Sequence, residues 1–104
     1  MTIFDDCERA LRAMEDVTGT ALDTEHPRRT DAEFWTRAVI AQHLYDLGWN
    51  DTRIASVLNR HRTTLLHARL RLHDALRRPS MYADIVRLER QFKTRYNELF
   101  RPDL

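Results

Sequence analysis

The residues that could do chemistry in this chain are concentrated between positions 53 and 78. Arg53, Arg60, Arg62, Arg69, Arg71, Arg77 and Arg78 stand there against a single acid, Asp74, with His61, His67 and His73 among them. The surplus is six positive charges over 26 positions. Guanidinium groups at this density suit a polyanion, because each presents planar paired donors that match phosphate oxygens or the edge of guanine. Catalysis fits less well. The histidines recur every six residues, which on a helix turns each one about 120° from its predecessor, so they cannot converge on one metal. No glycine-rich phosphate loop, paired-acid motif or nucleophile motif accompanies them, and Cys7 stands alone. Neither an enzymatic function nor a cofactor is expected.

The elements that must position these arginines can be read from the periodicity. Asn50 or Asp51 can cap a short helix whose apolar face is Ile54, Val57 and Leu58. Asn59-Arg60-His61 interrupts that pattern. A second helix starts around Arg62-Thr63-Thr64, with Leu65, Ala68, Leu72 and Ala75/Leu76 on one face and Arg62, Arg69 and Arg77 largely off it. Two helices joined by a turn of three or four residues define a helix-turn-helix, whose second helix enters the major groove.

The rest of the chain frames this unit. The 104 residues carry a net charge of only +1, and positions 1–51 hold eleven acids against five arginines. Local potential steers a polyanion, so a near-neutral total does not exclude one. Two glycines and three prolines disfavour a turn-rich sandwich. The expectation is one all-α domain over 1–104, a small bundle of four to five helices. An N-terminal helix over 1–19 uses Thr2 as its cap and buries Phe4, Leu11, Met14 and Val17. A connector follows, with Leu22 tucked inward and with Arg28 and Arg29 at the entry of the next helix, either touching phosphates or lying in a solvated loop. A central helix over 31–47, capped by Asp31, is apolar on a broad face that includes Phe34, Ala38, Ala41, Val39 and Ile40. The helix-turn-helix occupies 50–78, and a C-terminal helix, 80–101, starts at Ser80. Its stripe of Ile85, Leu88, Phe92, Tyr96 and Leu99 is long enough that Tyr96 and Leu99 are expected either to meet a second copy, giving a homodimer, or to pack within one chain. No apolar run approaches a membrane span, and the acidic N-terminus lacks a signal-peptide pattern, so a cytoplasmic protein without membrane contact is expected.

Residues 22–76 resemble the C-terminal DNA-binding domain of the bacterial DnaA replication initiators, whose fold is Trp-repressor-like. The strongest segment is His61-Arg62-Thr63-Thr64-Leu65-Leu66-His67-Ala68. It is similar to the family signature Arg-Asp-His-Thr-Thr-Val-Leu-His-Ala, whose leading arginine falls on Arg60. Asn50-Asp51-Thr52-Arg53-Ile54-Ala55 looks like the family's Ser-Leu-Pro-Glu-Ile-Gly, and Arg37-Ala38-Val39 falls where the family has Arg-Gln-Ile. The departures are specific. Asn59 alone replaces two glycines, His61 stands where the family's aspartate reads bases, and Arg62 stands at its base-reading histidine. Residues 50–76 also look like region 4 of sigma factors, another helix-turn-helix.

The resemblance implies a double-stranded DNA-binding protein without ATPase activity, acting in replication or transcription. Arg37 is then the arginine that enters the minor groove. Thr63 and Thr64 would contact phosphate or a thymine methyl, and Arg60, Arg62, Arg69 and Arg71 would contact phosphates. Arg62 would also make a bidentate guanine contact. His61 adjoins these, and His67 is either a phosphate donor or a packing residue. The alternatives are a sigma region 4-like or other transcriptional regulator, or an interaction protein that keeps the fold and binds its partner through the C-terminal helix.

Overall fold

The computed structural model describes residues 2–26 and 30–100. They form α1 (Ile3–Thr18), α2 (Asp31–Asp46), α3 (Asp51–Leu58), α4 (Arg62–Leu76) and α5 (Ala83–Phe100), with no strand among the described residues. The protein is therefore all-α.

Local chemistry sets most of the helix ends. At α1, the Thr2 hydroxyl accepts from the Asp5 amide while the Asp5 carboxylate accepts from the Thr2 amide, a reciprocal capping box. Gly19, with φ +76°, ends the helix. The cap of α2 is Thr30 rather than Asp31, one residue earlier than expected. Its hydroxyl accepts from the Glu33 amide at 3.2 Å, and Asp31 becomes a first-turn acid that suits the helix dipole. Gly48, at φ +103°, closes α2. The Trp49 amide donates to the Leu44 carbonyl and the Gly48 amide to Tyr45, the paired bonds of a Schellman end.

The link between α3 and α4 follows the same logic without glycine. Asn59 adopts φ +53°, which asparagine tolerates better than other side chains. The Arg60 amide donates to the Ala55 carbonyl and the Asn59 amide to Ser56. The Asn59 side chain donates to the Thr24 carbonyl at 2.9 Å, pinning the connector to the turn. One asparagine thus closes α3 where the resembled family uses two glycines. Leu22 packs against the core from the same connector, as expected. The proposed phosphate contacts of Arg28 and Arg29 fall outside the described residues.

Helix α1 lies along α5 and α2 along α4, the two most extensive packings, and α3 closes one side against α1, α2 and α4. Ala38, Ala41, Ile54, Leu58, Leu65 and Leu72 are buried together, as expected, and Phe34 is half-buried at the margin. Two expectations are corrected and a third is narrowed. In α1 the buried line is Ile3, Cys7, Ala10 and Met14, spaced 4, 3 and 4, whereas Phe4 lies on the outer side of that line and is 71% exposed. Helix α5 begins at Ala83 and not at Ser80, because the Met81 and Tyr82 amides both turn back onto the Arg78 carbonyl. Finally, of the two alternatives for the α5 stripe, Tyr96 takes the second: it is buried with Phe92 within the chain, while Ile85, Leu88 and Leu99 are half-buried at the core margin. Arg95 pairs with Asp16 at 2.8 Å to hold α5 on α1.

Trp49 fixes the corner between α2 and α3. Its indole N–H donates to Asp6 Oδ2 at 2.7 Å, and Asp6 is buried rather than merely a helix-start acid. Burial pushes the Cys7 thiol up to about 11, so it is protonated at neutral pH. Among the described residues no helix is long and apolar enough to cross a membrane.

Candidate nucleic-acid interface

Helix α4 presents three sides. Leu65, Ala68, Leu72 and Ala75 are buried, as the periodicity required. At 100° per residue the opposite side carries Thr63, His67 and Leu70, all exposed, with Asp74 at the far end ion-paired to Arg78. The flank toward α2 carries Thr64 and Arg71, both exposed. His61 and Arg62 project at the helix start and are exposed as well.

That start differs from the other capped helices. His61 occupies the N-cap position of α4 without a side-chain hydrogen bond to the first turn, and the first turn contains no acid. The positive end of a 15-residue helix is thus left open. It borders a cleft of about 1210 Å³ between the start of α2, α3 and the turn. Arg37, Arg60, Arg62, Arg71 and His61 line this cleft, together with the acid Asp31 and the hydroxyls of Thr30, Thr52, Ser56 and Thr64. Sequence reasoning missed Thr30, Thr52 and Ser56, because small polar residues at helix starts carry no signal beyond capping and turn preference.

The structure sorts the expected contact residues into two groups. His61, Arg62, Thr63, Thr64 and His67 are exposed, and Arg60 is half-buried at the cleft rim. Arg71 is exposed but not free, since its guanidinium lies 4.7 Å from the Phe34 ring centre and 5.5 Å from that of Trp35. Stacking of this kind holds a cation in place with its edge N–H groups still available.

Arg69 and Arg37 depart from expectation. Arg69 follows Leu65 by four residues and so sits at the edge of the buried side. It is buried, pairs with Asp51 at 2.6 Å and stacks 3.9 Å from the Tyr45 ring centre. It joins the ends of α2 and α3 to α4, and its guanidinium is turned inward rather than presented to solvent. Arg37, which the resemblance sends into the minor groove, is buried in the wall of α2. Its Nη2 lies 3.7 Å from Glu33, too far for a hydrogen bond, and has no hydrogen-bond partner. Burial lowers the pKa of Arg37, the nearby Arg60 charge lowers it further, and Glu33 opposes both. With Arg69 and Arg78 engaged by carboxylates, the arginines of this region without an ion-paired carboxylate among the described residues are Arg53, Arg60, Arg62, Arg71 and Arg77.

A second, smaller cavity of about 270 Å³ lies between α2, α4 and α5 beside His43. The His43 ring sits edge-on to Phe92 and Tyr96, and its Nε2 is buried without a partner. Burial pushes its pKa below the usual value, with Lys93 acting in the same direction and Asp46 and Asp6 opposing. Among the described residues no three His, Cys, Asp or Glu side chains form a metal-binding group.

Comparison of the chain with protein-family models, with curated proteins and with solved structures finds no match.

Proposed function

We propose that this protein binds double-stranded DNA, with α3, the Asn59–His61 turn and α4 acting as a helix-turn-helix. One observation carries the reading. The exposed start and outer side of α4 combine Arg62, Thr63, Thr64 and His67 with an uncapped helix end, and Arg60 and Arg71 stand beside them. Such a surface offers cations and backbone N–H groups to phosphates and hydrogen-bonding side chains to base edges. Arg62, at the tip of the helix, is the residue placed to read guanine. The likeness of residues 60–68 to the DnaA signature supports the same assignment.

Selection from random duplexes, followed by titration at two salt concentrations, tests this function. Affinity should fall steeply with salt, with a log–log slope of roughly −3 to −5 if about four to five phosphates are neutralised. Arg62→Ala should cost about 1–3 kcal/mol on the selected site and little on random duplex. An equal loss on every sequence would show that Arg62 contacts only backbone. Absence of duplex binding at low salt would overturn the reading.

Leu66 and Leu70, exposed one turn apart on the same helix, favour a second reading in which α4 docks a protein partner. The two are separated by Leu70→Lys. A protein-docking face would lose its partner, whereas a DNA face would keep or gain affinity for duplex.

A further inference from the structure

We propose that the cleft between the start of α2 and the α3–α4 turn is a phosphoryl-group site, with Arg37 at its wall, Arg60 at its rim and the open N-terminus of α4 as its third side. This goes beyond the duplex reading: it assigns Arg37 a ligand chemistry and needs no base contact.

Three independent observations converge on it. Helix α4 is 15 residues long, and no side chain caps its first turn, so its first amide donors and its positive end are available to an anion. Arg37 lines the same cleft, is more than nine-tenths buried and carries an Nη2 without a hydrogen-bond partner. A desolvated guanidinium whose ion pair with Glu33 is as long as 3.7 Å is only loosely compensated and keeps an unfilled N–H donor, an arrangement that a bound anion would improve. Finally, Arg60 adds a second cation at the rim, and the hydroxyls of Thr30 and Thr64 add neutral donors. The one acid lining the cleft, Asp31, is exposed, where water screens it. A phosphoryl group, with several oxygens able to accept from different directions, matches this arrangement better than a carboxylate with two.

Two sources carry that group: a backbone phosphodiester of a duplex, or a free phosphate-bearing small molecule. The test titrates inorganic phosphate into the full chain at an ionic strength held constant with chloride. Arginine side-chain N–H resonances and calorimetry provide the readouts. Phosphate, but not chloride, should shift the Arg37 Nε–H signal. Arg60→Gln should weaken phosphate binding about tenfold, the order expected when a charge-assisted hydrogen bond is lost. Arg77→Gln, at the other end of α4, should leave it unchanged. Arg60 is used because it lies half-buried at the rim, where the substitution leaves the wall of α2 intact. Equal responses to phosphate and chloride overturn the site, as do equal losses from Arg60→Gln and Arg77→Gln. If saturating duplex abolishes the phosphate response, the source is the backbone. If phosphate binds alongside duplex, or where duplex does not bind at all, the site stands with a free phosphate compound as its ligand. In the last case the duplex reading alone fails.

Discussion

Arg37 and Arg69 are buried to nearly the same degree, 8% and 7% exposed, yet the chain uses them differently. Arg69 has a carboxylate at 2.6 Å and an aromatic face at 3.9 Å, although its Nε lacks a partner. Arg37 has a carboxylate only at 3.7 Å and borders an open cleft. One guanidinium is engaged by the fold and ties three helices together, while the other is held in position with bonding capacity left over. Burial alone therefore does not separate a structural arginine from one poised for a ligand. The partner distance does.

The same substitution at both positions sharpens this contrast. Arg69→Met should destabilise the chain by about 2–3 kcal/mol. It removes a close ion pair and a cation–π contact, and the loss is moderated because Asp51 remains about a quarter exposed and can rehydrate. Urea denaturation measures it, and a loss below about 0.5 kcal/mol would break the comparison. Arg37→Met should stay within about 1 kcal/mol of wild type, because the ion pair it breaks is long, at 3.7 Å, and Glu33 stands in the first turn of α2, where the helix dipole still favours its carboxylate. If both variants lose equally, Arg37 is as structural as Arg69.

The smallest expected effect concerns His43, a half-buried residue whose Nε2 is buried and unfilled. Its pKa is lowered in the folded state, so the folded chain resists protonation more than the unfolded chain does. Stability should therefore be at its full value above the usual pKa of 6.5. It should decline as pH falls from there through the lowered folded value, where the unfolded chain alone takes the proton. His43→Phe should flatten that decline relative to wild type. An unchanged slope between the two would show that His43 does not drive it.

Much of the architecture was legible in the sequence, because capping and periodicity act locally. Asn50, Gly19 and Gly48 mark helix ends through the backbone conformations they permit, and Ile54, Leu58, Leu65 and Leu72 share faces at 3.6-residue spacing. Thr30 displaced Asp31 as a cap because both are good caps in adjacent positions and only the chain path chooses between them. The fates of Arg37, Arg69 and Tyr96 were illegible for a different reason. Each depends on a residue or helix distant in sequence: Arg60 across the cleft, Asp51 eighteen positions earlier, and α1 against α5. A charge count assigns all seven arginines between 53 and 78 to the surface, whereas burial against Asp51 withdraws Arg69 from it and an exposed ion pair with Asp74 engages Arg78. The exposed set of His61, Arg62, Thr63, Thr64 and His67 could be read because those positions fall opposite or beside a clear apolar stripe on one helix.

The packing of α1 along α5 has a consequence for how the chain acquires its structure. These helices stand at opposite ends of the described residues, and their contact is the most extensive in the fold. Contacts that join distant segments require a large loop to close before they contribute, which slows the search and raises the entropic barrier. During synthesis, α1 emerges early and then waits for α5, its apolar line of Ile3, Cys7, Ala10 and Met14 lacking that partner for the interval in which α2 to α4 are made. The local pairs α2–α4 and α3–α4 can form in that interval, so the region bearing the cleft is expected to organise first. The topology predicts that the α1–α5 layer closes over it last.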